Sequence, residues 1–389
     1  MPFREVSVMD ERREFVRLAA QDGVNRRELC RRFGISPDTG YRWLARWQAG
    51  DDKLADRSRR PLTSPCRSVE ATESAVLKVR DAHPAWGARK IVSYLARTST
   101  VVPAASTAHA ILCRHGRIGP PETTAHPFRR FERDAPNELW QMDFKGRIDV
   151  GLDTVCHPLT IIDDHSRYAL GVLACGDQKG LTVQQQLTRT FRRYGLPEAF
   201  FVDNGSPWGD GEARWTRLKV WLLKLGIGVI HSRPYHPQGR GKNERFHRTL
   251  KAEVLALRRY RDLADLQRAL DLWRAVYNQQ RPHQALGMDV PASRYRPSPR
   301  AMPDRLPEVH YDSDETVRRV PLTKDYISFK GRLWNVPRAL RGELLAVRPL
   351  DQDGRYGIFF GSWPVATIDL TTPKSVSDVP EQVSDMSPG

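Results

Sequence analysis

Apolar residues return at helical spacing three times between positions 11 and 48, with polar and charged residues filling the gaps. The pattern predicts a first helix over Glu11–Ala20, with Phe15, Val16, Leu18 and Ala19 on its inner side. A second follows over Arg26–Phe33, with Leu29 and Phe33 one turn apart. After the turn "GIS", Ser36 stands as an N-cap and Pro37 suits the first helical position. In the third helix, "PDTGYRWLARWQ", Gly40, Trp43, Leu44 and Trp47 share one face, which leaves Asp38, Thr39, Tyr41, Arg42 and Arg46 outward. A helix, a glycine-containing turn and a helix with a basic outer face predict a helix-turn-helix unit over residues 1–50, whose second helix enters the major groove. A plain three-helix bundle would share the inner pattern. Thr39, Tyr41, Arg42 and Arg46 are the candidate DNA contacts.

Residues 51–69 are too rich in charge, Ser and Pro for a core. They read either as a flexible linker or as a basic arm in which Arg57, Arg59 and Arg60 lie along a groove. Helical spacing resumes over 70–120, with a stripe of Ala75, Val76 and Val79, then "WGARKIVSYLA" and "STAHAILCRHG". This predicts a second helix-turn-helix-like unit, with Ser106 opening its recognition helix. A second linker covers 121–135.

From there the period changes. "LWQMDFKGRI" and "HPLTIIDDHSRYALGVLA" read as three strands, the last two joined by a polar turn at Asp163–Arg167. Helix "LTVQQQLTRTFRRYG", strand "EAFFVDNG", helix "RWTRLKVWLLKLG", strand "IGVIHS" and the long helix "GKNERFHRTLKAEVLALRRY" follow. Three strands and then alternating helix and strand predict an α/β core with a mixed sheet over 136–300, flanked by a helix over 262–283. Short strands between turn residues over 315–370 predict a small β-barrel, and 371–389 has the composition of a disordered tail. The fold class is therefore multidomain: α-helical helix-turn-helix units, an α/β core and a small C-terminal β-barrel.

Charge adds a partner. The formal charge is +16, and residues 1–120 hold 22 Lys and Arg against 13 Asp and Glu. The N-terminal third thus carries most of the attraction for a polyanion, and double-stranded DNA suits it. No apolar run approaches the roughly 20 residues of a membrane span. The charged start "MPFREVSVMDERREF" lacks the apolar centre of a signal peptide. Five scattered cysteines without a CxxC pair argue for a reducing cytoplasm and against a cysteine-built zinc site. Cytoplasmic localisation, in a bacterium and on the nucleoid, is the expectation.

Candidate chemistry sits in the core. In "FVDNGSPW" an apolar strand opens on Asp203, followed by Asn204 and Gly205. A turn alone explains such a triplet. Asp143 lies in the first strand, however, and if the two strands lie side by side both carboxylates emerge at one sheet edge. Glu244, on the long helix, is placed to cross that edge, with His247, Arg248 and Lys251 following at helical spacing. Three carboxylates without His or Cys suit Mg²⁺ or Mn²⁺. Two such ions about 3.5–4 Å apart would clamp an in-line phosphodiester displacement. Lys242, Arg245, Arg248 and Lys251 are candidate phosphate contacts or a solvated face. His231 and His236 are expected to order the loop before Glu244, Asp163, Asp164 and His165 to shape a turn, and Trp140 to be core.

The segments "LWQMDFKG", "TIIDDHSRY", "FFVDNGSPW", "HSRPYHPQGRGKNERFHRTLKAE" and "YNQQRPHQALG", with "LADRSRRPLTSP" and "HPAWGARKI" before them, resemble an insertion-sequence transposase of the DDE class with a retroviral-integrase-type core. The resemblance runs from about residue 12 to 300. It implies a ribonuclease-H-like fold, with Asp143, Asp203 and Glu244 as the catalytic, metal-binding acids and Mg²⁺ or Mn²⁺, two ions, as cofactor. Forty residues separate Asp203 from Glu244, more than the commonest integrase-type gap, and the surplus fits the turn-rich "SPWGDGEARW". The implied activity is binding of element ends, cleavage, and joining of 3′-hydroxyls to target DNA by a homodimer or larger assembly. A silent DNA-binding regulator and a nuclease without strand transfer are the alternatives.

Overall fold

The computed structural model describes residues 7–56, 67–118, 132–209, 215–231 and 241–371. Described residues up to 67 form one compact unit and those from 68 onward another. In the first unit, helices α1 (Val8–Ala19), α2 (Arg26–Arg32) and α3 (Pro37–Gln48) each begin at a polar cap. Ser7, Asn25 and Ser36 accept from the backbone N–H three residues on, which satisfies one of the donors every helix start leaves open. Phe15, Val16, Ala19, Leu29, Cys30, Leu44 and Leu54 make its core. Gly34 turns the chain between α2 and α3 at φ +65°.

The second unit opens with α4 (Glu70–Ala82), α5 (Ala88–Thr98) and α6 (Ala105–Arg114), packed around Val76, Trp86, Ile91, Leu95, Ile111 and Leu112. This trio is fastened to a segment far along the chain. Ser93 Oγ and Arg97 donate to the Met288 carbonyl at 3.1 and 3.2 Å, and Arg97 also reaches the Gln280 carbonyl at 3.0 Å.

Strands β1 (Leu139–Phe144), β2 (Ile148–Val150), β3 (Thr154–Asp163) and β4 (Ala169–Cys175) form the antiparallel side of a six-stranded sheet. Beyond α7 (Gly180–Tyr194), β5 (Ala199–Val202) pairs parallel to β1. Beyond α8 (Arg217–Lys224), β6 (Gly228–His231) pairs parallel to β5. One face is covered by α7 and α8 through Leu187, Phe191 and Trp221. The other is covered by α9 (Gly241–Leu250) and α10 (Leu263–Gln279) through Phe246, Leu250, Leu270 and Trp273. A mixed sheet with helices on both faces agrees with the expected ribonuclease-H-like core. Its β4 edge is shielded by side-chain amides of α10. Gln267 and Asn278 each exchange two hydrogen bonds with the β4 backbone, so the strand offers little free ladder.

The C-terminal strands are present, but the expected closed barrel is not. Strands β7 (Thr316–Arg319), β10 (Leu344–Pro349), β11 (Arg355–Phe360) and β12 (Trp363–Asp369) form an open antiparallel sheet, and β8 (Tyr326–Phe329) and β9 (Arg332–Asn335) a separate hairpin. The physical reason is the partner. Val220 and Leu223 of α8, with Ile327 and Phe329 of the hairpin, share an apolar cluster with Leu345, Ile358 and Phe360, so a helix and a hairpin cover the sheet where a closed barrel would use its own far edge. Lys224 adds an ion pair to Glu343 at 3.0 Å.

Candidate active site

Strands β1 and β5 run parallel in the register Leu139–Ala199, Trp140–Phe200, Gln141–Phe201. The same register carried two residues further sets Asp143 level with Asp203. Neighbouring strands stand about 4.8 Å apart, and residues level with each other share a face of the sheet. Asp143 is 32% exposed at its side chain, and Asp203 is half-buried. The turn after Asp203 folds back on the same edge. Gly205 and Gly209 exchange backbone hydrogen bonds at 2.8 and 2.9 Å, and buried Trp208 stacks on Phe144, the neighbour of Asp143. From the other side, His231 Nδ1 donates to the Asp203 carbonyl at 3.2 Å; the loop before Glu244 that it was expected to order lies outside the described residues. His236 lies outside the described residues.

Helix α9 brings Glu244. Asn243, Phe246, His247 and Leu250 face inward, while Glu244, Arg245 and Arg248 are exposed. His247 contacts Asp143 directly, its Nδ1 3.9 Å from Oδ2, and Glu244 lies three residues earlier, one turn along the helix. His247 Nε2 meets Thr160 Oγ1 at 2.8 Å, and the same hydroxyl donates to the Asp143 carbonyl at 2.9 Å. Burial holds the His247 imidazole down to about 4, with Lys145 adding to the effect, so the ring beside Asp143 is neutral at physiological pH.

The donors at this edge are carboxylate oxygens, partly open to solvent, which is the chemistry of a hard divalent cation. Among the described residues no three His, Cys, Asp or Glu side chains stand close enough together to hold an ion.

Family descriptions match along the chain in order. A "Helix-turn-helix domain" covers residues 11–61 and a "Homeodomain-like domain" 39–112. An "Integrase core domain" covers 133–237, a second of that description 225–291, and "IS481 family transposase, C-terminal domain" 315–376. A 31.7 kDa protein of insertion element IS407 from Burkholderia multivorans is 30% identical over 159 residues. The family likeness is to insertion-sequence transposases with an integrase-type core. That alignment covers 41% of this chain and 55% of the relative. The transposase for transposon Tn552 of Staphylococcus aureus is 29% identical over 143 residues, covering 32% of this chain and 28% of the relative. The chain thus spans about half or less of the length of these relatives.

Two solved structures align at 16% identity. The intasome of simian T-cell lymphotropic virus in complex with PP2A regulatory subunit B56 gamma covers 77% of this chain and 100% of its own, at a TM-score of 0.37. The HTLV-2 integrase catalytic core domain in complex with magnesium covers 42% of this chain and 99% of its own, at 0.32. At those scores neither carries an argument, and the fold of the core rests on its strand pairing and its match to the integrase core domain.

The remaining expected sites divide. On α3, Tyr41 and Arg42 are exposed and Thr39 is half-buried beside its cap Ser36. Arg46 differs from expectation. Its guanidinium is turned back onto Asp51 (Nε 2.9 Å) and the Ala55 carbonyl (2.7 Å), and stacks over Trp43, because the chain after α3 supplies acceptors within its reach. Trp47, expected inside, is 37% exposed. Ser106 is exposed in the first turn of α6. Arg57, Arg59 and Arg60 lie outside the described residues.

Lys242 is also turned inward. Its ammonium sits 2.5 Å from Asp164 Oδ1, which also accepts from Gln141 Nε2, while Oδ2 takes the Arg133 N–H. Burial lowers the Lys242 ammonium to about 8 against the pull of Asp164. Arg245, Arg248 and Lys251 are exposed. Asp163 accepts from Asn137 N, Ser166 N and Ser166 Oγ, so "DDHS" builds the turn it was expected to build. Sequence pattern gave no sign of Thr160 or of the Asp164–Lys242 pair. Both depend on which strands and helices meet, which periodicity does not encode.

Proposed function

We propose that the chain is a DNA transposase in which Asp143, Asp203 and Glu244 hold divalent ions, Mg²⁺ or Mn²⁺, and act on phosphodiester bonds. The observation that carries the reading is the parallel register that levels Asp143 with Asp203, with His247 of the helix bearing Glu244 beside Asp143. Bound ions, two in this reading, would activate the attacking oxygen and stabilise the leaving one. The chain's own part is to present three carboxylates from two strand ends and one helix. It also holds the Asp203 turn down with Trp208 and keeps a neutral imidazole beside Asp143. Exposed Arg245, Arg248 and Lys251 flank the same edge and suit DNA phosphates. Tyr41, Arg42, Thr39 and Ser106 suit contacts to the element's terminal repeats. Pairing two ends calls for at least a homodimer in the active complex, working on DNA in the bacterial cytoplasm. Domain limits follow the sequence pattern: 1–50 and 70–120 bind ends, and 136–300 carries the chemistry.

The test is strand transfer by the purified chain on a labelled, pre-cut end duplex with Mg²⁺ or Mn²⁺, beside Asp203→Asn. Joined products from the wild type, lost by at least about 10³-fold in the variant given the size of a lost metal-site electrostatic contribution, support the reading. Binding of ends without cutting or joining moves the regulator ahead. Cutting of intact ends without joining selects a nuclease.

A further inference from the structure

Helix α9 is held by apolar packing, by the Lys242–Asp164 ion pair at its first turn and, beside Asp143, by His247. Phe246 and Leu250 enter an apolar cluster with Trp273 and Tyr277, and such packing tolerates a small roll of the helix. The His247 contact is directional. A threonine hydroxyl has one proton, and the Asp143 carbonyl can only accept, so Thr160 spends its proton there at 2.9 Å. The 2.8 Å contact to His247 is therefore donated by the ring Nε2–H. His247 Nδ1 lies 3.9 Å from Asp143 Oδ2, beyond hydrogen-bond reach, so the tie to Asp143 runs through Thr160.

We propose that His247 is a positioning residue: through Thr160 it ties the helix carrying Glu244 to the backbone of Asp143, and so sets the rotation of α9 over the ends of β1 and β5. The inference rests on the reading of Asp143, Asp203 and Glu244 as metal-binding acids. Side chains reach about 5–6 Å from a helix axis, so a roll of about 20° moves the Glu244 carboxylate by about 2 Å. Metal–oxygen distances tolerate only about 0.2 Å. A weak rotational lock would therefore cost metal affinity before it cost fold stability.

The experiment measures Mn²⁺ affinity by calorimetry on the full chain, with end-duplex binding and metal-free thermal unfolding as controls. The wild type binds Mn²⁺ and Asp143→Asn does not. Thr160→Val, which keeps the shape and removes the hydroxyl, weakens Mn²⁺ binding about 10- to 100-fold, the usual size for a lost group behind a metal ligand. His247→Asn, too short to reach Thr160, does the same. His247→Gln, which places an N–H near the position of Nε2, stays near the wild-type value. The double variant His247→Asn/Thr160→Val loses no more than either alone, since both cut one link. End-duplex binding is unchanged throughout. Wild-type Mn²⁺ affinity in Thr160→Val, or a Gln variant as weak as Asn, overturns the positioning role. If the wild type takes up no Mn²⁺, or Asp143→Asn takes up as much, the metal reading fails first and the inference falls with it.

Discussion

Gly40 shows how a single position decides whether two helices meet. A Cβ built there would stand 2.5 Å from Cys30 Sγ and 2.8 Å from the Phe15 ring, so α3 lies against α1 and α2 only because nothing projects. Gly40→Ala is expected to destabilise the first unit by about 1–3 kcal/mol, the usual cost of overpacking. Hydrogen exchange of the α1–α3 amides checks this, and protection equal to the wild type's would refute it. The inner placement of Gly40 was legible from helical spacing; the close approach that demands glycine was not. Arg46 marks the opposite limit. A helical wheel sets it outward, yet a long side chain follows acceptors wherever they lie, and Asp51 and Ala55 belong to a stretch that reads as linker.

At the scale of elements, strands were legible because their apolar runs are local, while their partners were not. Nothing in "LWQMDF" announces that β1 will run beside β5, more than fifty residues away, and that pairing alone levels Asp143 with Asp203. The start of α9 depends on an equally distant contact, Lys242 with the fully buried Asp164. Breaking one side of a buried pair typically costs about 3–5 kcal/mol, whereas neutralising both costs much less. Asp164→Asn and Lys242→Met should each lower the unfolding free energy from urea titration by that order, and the double variant should recover most of it. Additive losses would show that the two side chains do not act as a pair. The C-terminal strands repeat the lesson, since each was readable but closure was not: α8, far earlier in the chain, supplies part of the cover.

Across the whole molecule, the order of helical, α/β and β segments was legible from periodicity, and the contact of α5 with residues 280–288 was not. His283 sits in the segment that receives α5, 9% exposed, with Nε2 lacking a hydrogen-bond partner. Burial first, then the charges of Arg281, Lys90 and Arg167, push its imidazole from 6.5 down to about 2. A folded value below the unfolded one means that its contribution to stability is complete above about pH 6.5 and is lost as pH falls toward 2. Between pH 6.5 and 5 this ring accounts for about 2 kcal/mol, and His247 adds in the same direction. Denaturant titrations at pH 7 and pH 5 should show that loss in the wild type and a smaller one in His283→Phe. Equal losses would assign the acid sensitivity elsewhere.

The joint that α5 makes with the carbonyls of Gln280 and Met288 sets a distance as well as a contact. If, as proposed, α6 reads bases and the ends of β1 and β5 carry the cut, those two places become the marks of a ruler. A ruler counts in base pairs. The bond to be broken then lies at a set number of steps, and on a set side of the double helix, from the sequence that α6 recognises. An end with the right letters at the wrong interval would be held firmly and left whole.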